Sequence, residues 1–367
     1  MGDKSNYSMK FLLEEMVRRD ASDLHLTVNS PPVLRIDGDL TRMNLDSITP
    51  ESSKKLAYSI MTERQKKKFE ENWELDLSFG IAGLARFRVN IFLQRGNVAV
   101  VIRVIPTEIL GFSELGLPPV IANFADYPRG LVLVTGPTGS GKSTTLASII
   151  DKINVERHAH IITVEDPIEF VHRHKNCLVN QREVGSDTIR FSSALKYALR
   201  QDPDVVLIGE MRDLETMQAA LQIAETGHLA FATLHTNSAA ESINRIIDVF
   251  PVAQQTQIRV VLSFVIQAVL TQQLIPKIGG GRACATEILV ARPATRAQIR
   301  EDKIHQLYSS MQAGQKYGMM TMNQSLANLY LARKISLEQA MERSSDVQEL
   351  NDIIARSRLK AQHQQRR

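Results

Sequence analysis

Residues 136–143 read Gly136-Pro137-Thr138-Gly139-Ser140-Gly141-Lys142-Ser143 and match the pattern Gly-x-x-x-x-Gly-Lys-Ser/Thr without a departure. A short apolar run precedes this loop and a helical pattern follows it, which is the context the motif requires. Glycines let backbone N–H groups curl around the β- and γ-phosphates of a nucleoside triphosphate, and the helix N-terminus adds positive potential. In such a loop, here running from Gly136 to Thr144, Lys142 neutralises phosphate oxygens and Ser143 offers a hydroxyl to Mg²⁺. The expected ligands are ATP and Mg²⁺.

Further along, Glu165-Asp166-Pro167-Ile168-Glu169 places three carboxylates just past a second apolar run, at the strand end where an open α/β sheet has its ligand crevice. On its own the stretch reads equally well as a cap and turn. Beside a phosphate loop the functional reading gains, because hydrolysis needs a carboxylate to orient or deprotonate water. The run Asp204–Ile208 is followed by Gly209 and Glu210. Such a strand usually ends in an Asp that holds Mg²⁺ through water; Gly209 stands in its place and leaves Glu210 alone at the tip. Glu169 and Glu210 are expected to divide water activation and Mg²⁺ orientation, as catalytic residues. His228 and His235 bracket a fourth strand, on opposite faces and at most ~23 Å apart, which argues against a metal pair. His235 stands at a strand end, where a γ-phosphate sensor would sit, and His228 is the second catalytic candidate. Arg86, Arg88 and Arg103 lie on strands that are otherwise apolar. They make either a solvated sheet face or a phosphate clamp, since guanidinium groups offset transition-state charge.

The elements that must hold these residues follow two grammars. In the first hundred residues Ser8 caps a helix, Leu24–Val28 is a strand, and Asp37-Gly38 joins a hairpin of Val33–Ile36 with Asp39–Leu40. Thr49-Pro50 opens a second helix, and Thr62 with Gln65 is a capping box for a third. Alternating strands follow, with Leu75, Leu77, Phe79 and Ile81 on one face and Phe87, Val89 and Ile91 on the next strand's. A Pro- and Gly-rich stretch then reads as a linker. From Arg129, short buried-strand runs alternate with helices, the grammar of a doubly wound parallel sheet. Beyond Ser238 the pattern is mostly helical. The expected division is a flexible 1–8, a small α+β domain over 9–106, a linker over 107–128, an α/β domain over 129–356 and a disordered basic tail over 357–367.

Bulk composition sets limits. With 43% hydrophobic and 23% charged residues over 367 positions, a globular protein of two domains is expected. No apolar run approaches the ~18 residues of a membrane span, and no signal core appears, so a cytoplasmic location is expected. Cys177 and Cys284 are too few for a disulfide framework or a four-thiolate zinc site and are expected to be buried and reduced. Net charge is only +4 and aromatic residues are 5%, with no basic stripe interleaved with aromatics, so no direct nucleic-acid partner is expected.

Stacked motifs in one order give the chain a family resemblance. They include Ser22-Asp-Leu-His-Leu, the phosphate loop with its preceding strand, Thr163-Val-Glu-Asp-Pro-Ile-Glu-Phe, Val179-Asn-Gln-Arg-Glu-Val, Gly209-Glu-Met-Arg-Asp-Leu-Glu-Thr and Ala224-Glu-Thr-Gly-His-Leu. The chain resembles the secretion-superfamily hexameric ATPases, most closely the PilT-like type IV pilus retraction ATPases. The resemblance implies a RecA-like ATPase domain behind a PAS-like module whose arginines reach the nucleotide. It also implies Glu169 as catalytic glutamate, Glu210 as the Walker B glutamate and His228 and His235 as a His-box pair. It implies a homo-hexamer at the inner membrane, a platform protein as partner, a paralogous retraction ATPase as a second one, and pilus retraction as the work done. Absence of a four-cysteine zinc module separates the chain from the assembly and type II secretion branch. The family's coupling segment Ala-Ile-Arg-Asn-Leu-Ile-Arg-Glu reads Ala294-Thr-Arg296-Ala-Gln-Ile-Arg300-Glu301 here, keeping Arg296, Arg300 and Glu301 but replacing three neighbours. Two other readings remain open at this stage: a nucleic-acid-stimulated RecA-like ATPase, and a nucleotide-binding accessory of a pilus motor that does not hydrolyse.

Overall fold

The computed structural model describes residues 7–105 and 108–365, with side chains to 359. Residues 1–6 of the expected flexible start, residue 106 at the end of the expected first domain, residue 107 at the start of the expected linker and the last two of the tail lie outside the described residues. The chain divides into two compact units, Met1–Glu108 with Glu169–Val171, and Ile109–Ile168 with His172–Arg367.

The first unit begins with helix α1 (Met9–Arg18), capped by Ser8, whose Oγ accepts the Phe11 amide at 3.2 Å. Strands β1 (Asp23–Leu26), β2 (Val33–Ile36) and β3 (Asp39–Arg42) follow, with the turn at Asp37 and Gly38, both at positive φ as a two-residue hairpin requires. Helices α2 (Pro50–Tyr58) and α3 (Glu63–Asn72) start from capping boxes at Thr49 with Ser52 and Thr62 with Gln65. Strands β4 (Glu74–Ile81), β5 (Ala85–Gln94) and β6 (Asn97–Ile105) complete an antiparallel sheet in the order β3-β2-β1-β6-β5-β4. Period-two alternation sorts its faces. The cross-strand row Leu34–Leu24–Ile102–Val89–Leu77 is buried in the unit's core.

The second unit carries β7 (Gly130–Thr135), α4 (Lys142–Glu156), β8 (His160–Glu165), β9 (Leu178–Glu183), α5 (Phe191–Ala198), β10 (Val205–Ile208), α6 (Leu214–Glu225), β11 (Leu229–Leu234), α7 (Ala239–Asp248) and α8 (Val252–Val265). A long hairpin, β12 (Ile266–Pro276) with β13 (Arg282–Val290), and helices α9 (Pro293–Arg300), α10 (Leu307–Ala313), α11 (Met322–Leu331), α12 (Leu337–Arg343) and α13 (Val347–Gln365) follow. The sheet order is β13-β12-β7-β11-β10-β8-β9, parallel throughout except for the β12–β13 pair. Leu131, Leu133, Val206 and Ala230 pack against α5–α8 on one face, and Val132, Val134, Leu207 and Phe231 against α4 on the other. Burial on both faces explains the unbroken apolar runs.

Three expectations change. The region after Ser238 is not all helix, because β12 and β13 extend the sheet. The linker is shorter than expected: Pro119–Asp126 forms a 3-10 turn whose Ile121 and Phe124 are fully buried in the second unit's core. The tail is helical rather than disordered over its described residues, since α13 runs to Gln365 through a stretch rich in Lys, Arg, Gln and Ala, all good helix formers. Among the described residues, no helix is long and apolar enough to cross a membrane.

Candidate functional site

The phosphate loop joins β7 to α4. Its glycines are there for space as well as for φ. Gly136 has φ 136°, and a Cβ on it would stand 2.3 Å from the Gln272 carbonyl oxygen on β12. Gly139 and Gly141 are also left-handed, at φ 77° and 88°. Lys142 is buried, and its Nζ donates to the carbonyls of Gly136 at 2.8 Å and Pro137 at 3.0 Å. The ammonium is thus held inside the curl of the loop. The first intrahelical bond runs from the Thr145 amide to the Gly141 carbonyl, 3.0 Å, so the amides before it have no partner within the helix. Ser140 Oγ is buried in the same loop without a hydrogen-bond partner. A buried ammonium, a helix N-terminus and an orphaned hydroxyl suit a polyanion. Among the described residues, no cluster of three or more His, Cys, Asp or Glu side chains could hold a metal ion. A Mg²⁺ at this loop would draw on Ser143, phosphate oxygens and water, the usual manner for that ion.

Because β7, β11 and β10 are parallel neighbours, their C-terminal ends come out at one edge. Leu234 pairs with Thr135, which sets His235 beside Gly136 in register. On the far side of β11, Thr233 Oγ1 donates to the Gly209 carbonyl at 2.5 Å, and the Met211 amide donates to the Thr233 carbonyl at 3.1 Å. Glu210 is placed between two cations or donors: Arg212 Nη2 donates to its Oε2 at 2.7 Å, and His235 Nε2 lies 3.3 Å from its Oε1. Burial pushes the Glu210 carboxyl up, but Arg212 and then His235 outweigh it and hold it below the ordinary carboxylate range. Gly209 donates its amide to the Val164 carbonyl at 2.8 Å, and a Cβ there would meet the Val164 oxygen and Glu165 Cα, each at 3.1 Å. The usual Asp at this strand tip would crowd β8 and require it to give by a few tenths of an ångström.

The three carboxylates after β8 do not act alike. Glu165 is buried, accepting from Thr163 Oγ1 at 2.6 Å and Gln181 Nε2 at 3.1 Å. Asp166 and Glu169 are exposed, and Glu169 falls in the short segment grouped with the first unit. His228 is not part of this cluster within one chain. It precedes β11, at the opposite edge of the sheet from His235, with Nδ1 3.1 Å from both Thr226 Oγ1 and the Ile223 carbonyl oxygen at the end of α6. A six-residue strand keeps the two imidazoles apart.

In the first unit the three arginines share one sheet face. Arg88 pairs with Arg103 in register, and Arg103 with Asp23, giving the row Arg35–Asp23–Arg103–Arg88–Ser78. Arg103 Nε donates to the buried Asp23 carboxylate at 2.8 Å, and Arg86 donates to Ser78 Oγ at 2.7 Å. In the second unit, Arg296 turns inward: its guanidinium donates to the carbonyls of Ser263 at 2.8 Å and Phe264 at 2.7 Å, closing the C-terminus of α8. Thr295 is buried and bonds Arg292, Gln298 accepts from Ser310 Oγ at 3.0 Å, and Arg300 and Glu301 are exposed. The replaced positions of that segment therefore build its own cap and packing. Sequence reading overlooked Arg212, although it stands two residues from Glu210, and overlooked Gln272, whose Nε2 donates to Thr145 Oγ1 at 2.8 Å from a strand that was not expected. Cys177 is buried, and burial pushes the Cys284 thiol up to about 11, so neither is activated.

A phosphate loop opening α4, with a carboxylate and an imidazole on adjacent strand ends, defines a P-loop nucleotide-binding protein. The chain belongs to the type II/IV secretion system protein family, which matches residues 5–365. It is 52% identical over 333 residues to the type IV pilus retractation ATPase PilT of Pseudomonas aeruginosa, covering 91% of this chain and 97% of that one. It is 48% identical over 321 residues to a twitching motility protein of Neisseria gonorrhoeae, covering 87% and 86%. Among solved structures, the pilus retraction motor PilT with bound ADP superposes with a TM-score of 0.89 at 51% identity, covering 95% of this chain and 100% of that one. The RecA-like unit and the smaller sheet-bearing PAS-like unit expected from the sequence are both present.

Two predictions follow from local geometry. Gly209→Ala should destabilise the protein by about 1–3 kcal/mol through overpacking against β8; an unchanged denaturation midpoint would refute the crowding argument. Arg296→Ala should cost about 1.5–3 kcal/mol, since carbonyls at the end of α8 lose a charged donor. Arg300→Ala should stay within about 0.5 kcal/mol. Urea titration of both variants checks the contrast.

Proposed function

We infer that the chain hydrolyses ATP with Mg²⁺ and, as a homo-hexamer at the cytoplasmic face of an inner-membrane pilus platform protein, drives type IV pilus retraction. The observation that carries the reading is Glu210, held ionised by Arg212 and His235 one strand from the phosphate loop. The high identity to a protein named as a pilus retraction ATPase supplies the task on which the hydrolysis is spent.

Each residue has a part. Lys142 and the loop amides of Gly136–Thr144 bind and neutralise the triphosphate, and Ser143 offers its hydroxyl to the metal. A Mg²⁺ held through the Ser143 hydroxyl would supply charge neutralisation to the triphosphate. Glu210, an acceptor-only carboxylate, orients or deprotonates the attacking water, sharing that work with Glu169. His235 sits against Glu210, so a γ-phosphate that draws the imidazole changes the carboxylate's surroundings. Arg86, Arg88 and Arg103 form the phosphate clamp, with Asp23 holding Arg103 until it is needed. Arg300 and Glu301 present the exposed side of the coupling segment, while Arg296 anchors it. A paralogous retraction ATPase is the second partner in this reading.

Glu210→Ala should keep ATP binding and lose turnover by orders of magnitude, while Lys142→Ala loses binding as well. A strain carrying Glu210→Ala in place of the native chain should be hyperpiliated and fail to retract. Normal retraction with normal surface piliation in that strain would sink the motor assignment, and equal ATPase rates would sink the role of Glu210. Arg212 supplies the largest downward pull on Glu210, so Arg212→Ala should raise that pKa. The group is needed ionised, so the acid limb of kcat/KM against pH should move to higher pH. An unmoved limb would show that Glu210 does not set it.

A further inference from the structure

β9 is the edge strand of the second unit's sheet, and the motif Val179-Asn-Gln-Arg-Glu-Val runs along it. It lies parallel to β8, with Thr163 beside Gln181 and Glu165 beside Glu183. Gln181 and Glu183 are two positions apart on an extended strand, so their side chains share a face. Both reach across to the chain that leaves β8. Gln181 Oε1 accepts the His172 amide at 2.8 Å, and Glu183 Oε2 accepts the Ile168 amide at 3.2 Å. Glu169 lies between those two amides in the chain. Ile168 and His172 are buried while Glu169 is exposed, so the stretch is fastened at its two ends and open between them.

Each tether is itself held. Gln181 turns its Nε2 to Glu165 Oε1 at 3.1 Å, and the same oxygen accepts Thr163 Oγ1 at 2.6 Å. With the NH₂ side of its amide committed to a carboxylate, Gln181 has its carbonyl side left for His172. Glu183 is 3% exposed; its other oxygen accepts Ser186 Oγ at 3.2 Å, and its own amide donates to Asp187 Oδ2 at 2.8 Å. The turn after β9 therefore fixes Glu183 in place. Beyond His172 the chain has a separate anchor. Asn154, fully buried on α4, donates from Nδ2 to the Arg173 carbonyl at 2.7 Å and accepts the Lys175 amide at 3.2 Å. That clasp secures the return to β9, downstream of the stretch that carries Glu169.

We propose that Gln181 and Glu183 are positioning residues for Glu169, fixing the backbone on both sides of that carboxylate so that its oxygens are presented to the attacking water in one place. The inference rests on the reading of Glu169 as a partner of Glu210 in water activation, and deepens it by naming what holds Glu169. A misplacement of about 1 Å costs about a hundredfold in rate. Loss of one tether leaves the other, so a single variant should lose about tenfold in kcat. Nucleotide affinity is set at the phosphate loop and should not follow.

The experiment is a double-mutant cycle in ATP turnover on the full-length protein, paired with affinity for adenylyl imidodiphosphate and Mg²⁺. Gln181→Ala and Glu183→Ala should each lower kcat about tenfold and leave affinity within about threefold. Glu169→Gln should lower kcat about a hundredfold. In the Glu169→Gln background neither alanine should change kcat by more than about twofold, because nothing remains to be positioned. A role confined to sheet stability would instead lower kcat in both backgrounds. Should Glu183→Ala fail to fold, Gln181→Ala at a half-buried site carries the same cycle. Wild-type kcat in Gln181→Ala would overturn the proposal. So would a loss that persists beside Glu169→Gln, or a kcat that falls only in step with affinity. Wild-type turnover in Glu169→Gln is a different result: it removes the water-activation reading of Glu169, and the inference with it.

Discussion

Gly136 and the Gln272 carbonyl leave no room for a side chain between them, and much of the site depends on that contact. A Cβ at Gly136 would lie 2.3 Å from the carbonyl oxygen, so the phosphate loop can leave β7 only by folding tightly against β12. The same strand then braces the loop from two other directions. Thr271 Oγ1 lies 2.8 Å from Thr135 Oγ1 at the end of β7, and the Gln272 amide reaches Thr145 in the first turn of α4. With β12 on one side and β11 on the other, the loop has its curl set before any ligand enters. Lys142 is consequently held on the loop's own carbonyls rather than in solvent. A preorganised cradle of this kind spends little on ordering when a triphosphate binds.

The strand tips beside the loop show which electrostatic effect wins. Glu210 is half-buried, and burial alone would favour the protonated acid. Arg212 opposes burial with a charge-assisted hydrogen bond at 2.7 Å. Arg212, with His235 acting in the same direction, outweighs the burial effect, and the carboxyl is held below its ordinary range. Gly209 removes the Asp that would otherwise compete for this space. The tip of β10 keeps a single ionised carboxylate, and its two neighbours are groups that can be drawn away by a phosphate.

How much of this was legible in the sequence depended on whether a residue's neighbours in space were also its neighbours in the chain. The Asp37-Gly38 turn, the helix start at Thr49-Pro50, the capping box at Thr62 and the phosphate loop are local devices, and they stand where the sequence puts them. Val205–Ile208 and Leu229–Leu234 were readable because burial on both faces leaves a run with no polar gap. The β12–β13 hairpin was not readable. Ile266–Pro276 follows α8 with no breaker, carries Gln267, Gln272 and Gln273, and pairs in parallel with β7, some 135 positions earlier. Its glutamines look like a helix's polar face until Arg129, Thr145 and Cys284 are found as their partners. The separation of His228 from His235 was legible, because an extended strand of six residues stands between them; only the family resemblance joins them as a pair.

The hairpin hidden from the sequence also explains why the phosphate-loop unit continues for another hundred residues. Successive residues of a strand face opposite ways, so β12 and β13 address both layers of the unit at once. Gln272 and Cys284 look toward α4, and Leu270 and Ile288 share that layer's core. Thr271 and Glu287 look toward α7, with Val269 and Leu289 beneath them in the other core. The helix that begins at the phosphate loop and the helix that follows the His235 tip are thus held by alternate residues of one hairpin. Close-packed interiors transmit small displacements rather than absorb them. A ligand that moves either helix must work against β12 and β13, and through them against α11, whose Ser325 accepts the Thr286 amide at 2.9 Å. That bracing is a reason for the sheet to end in two strands that lie beyond the phosphate loop.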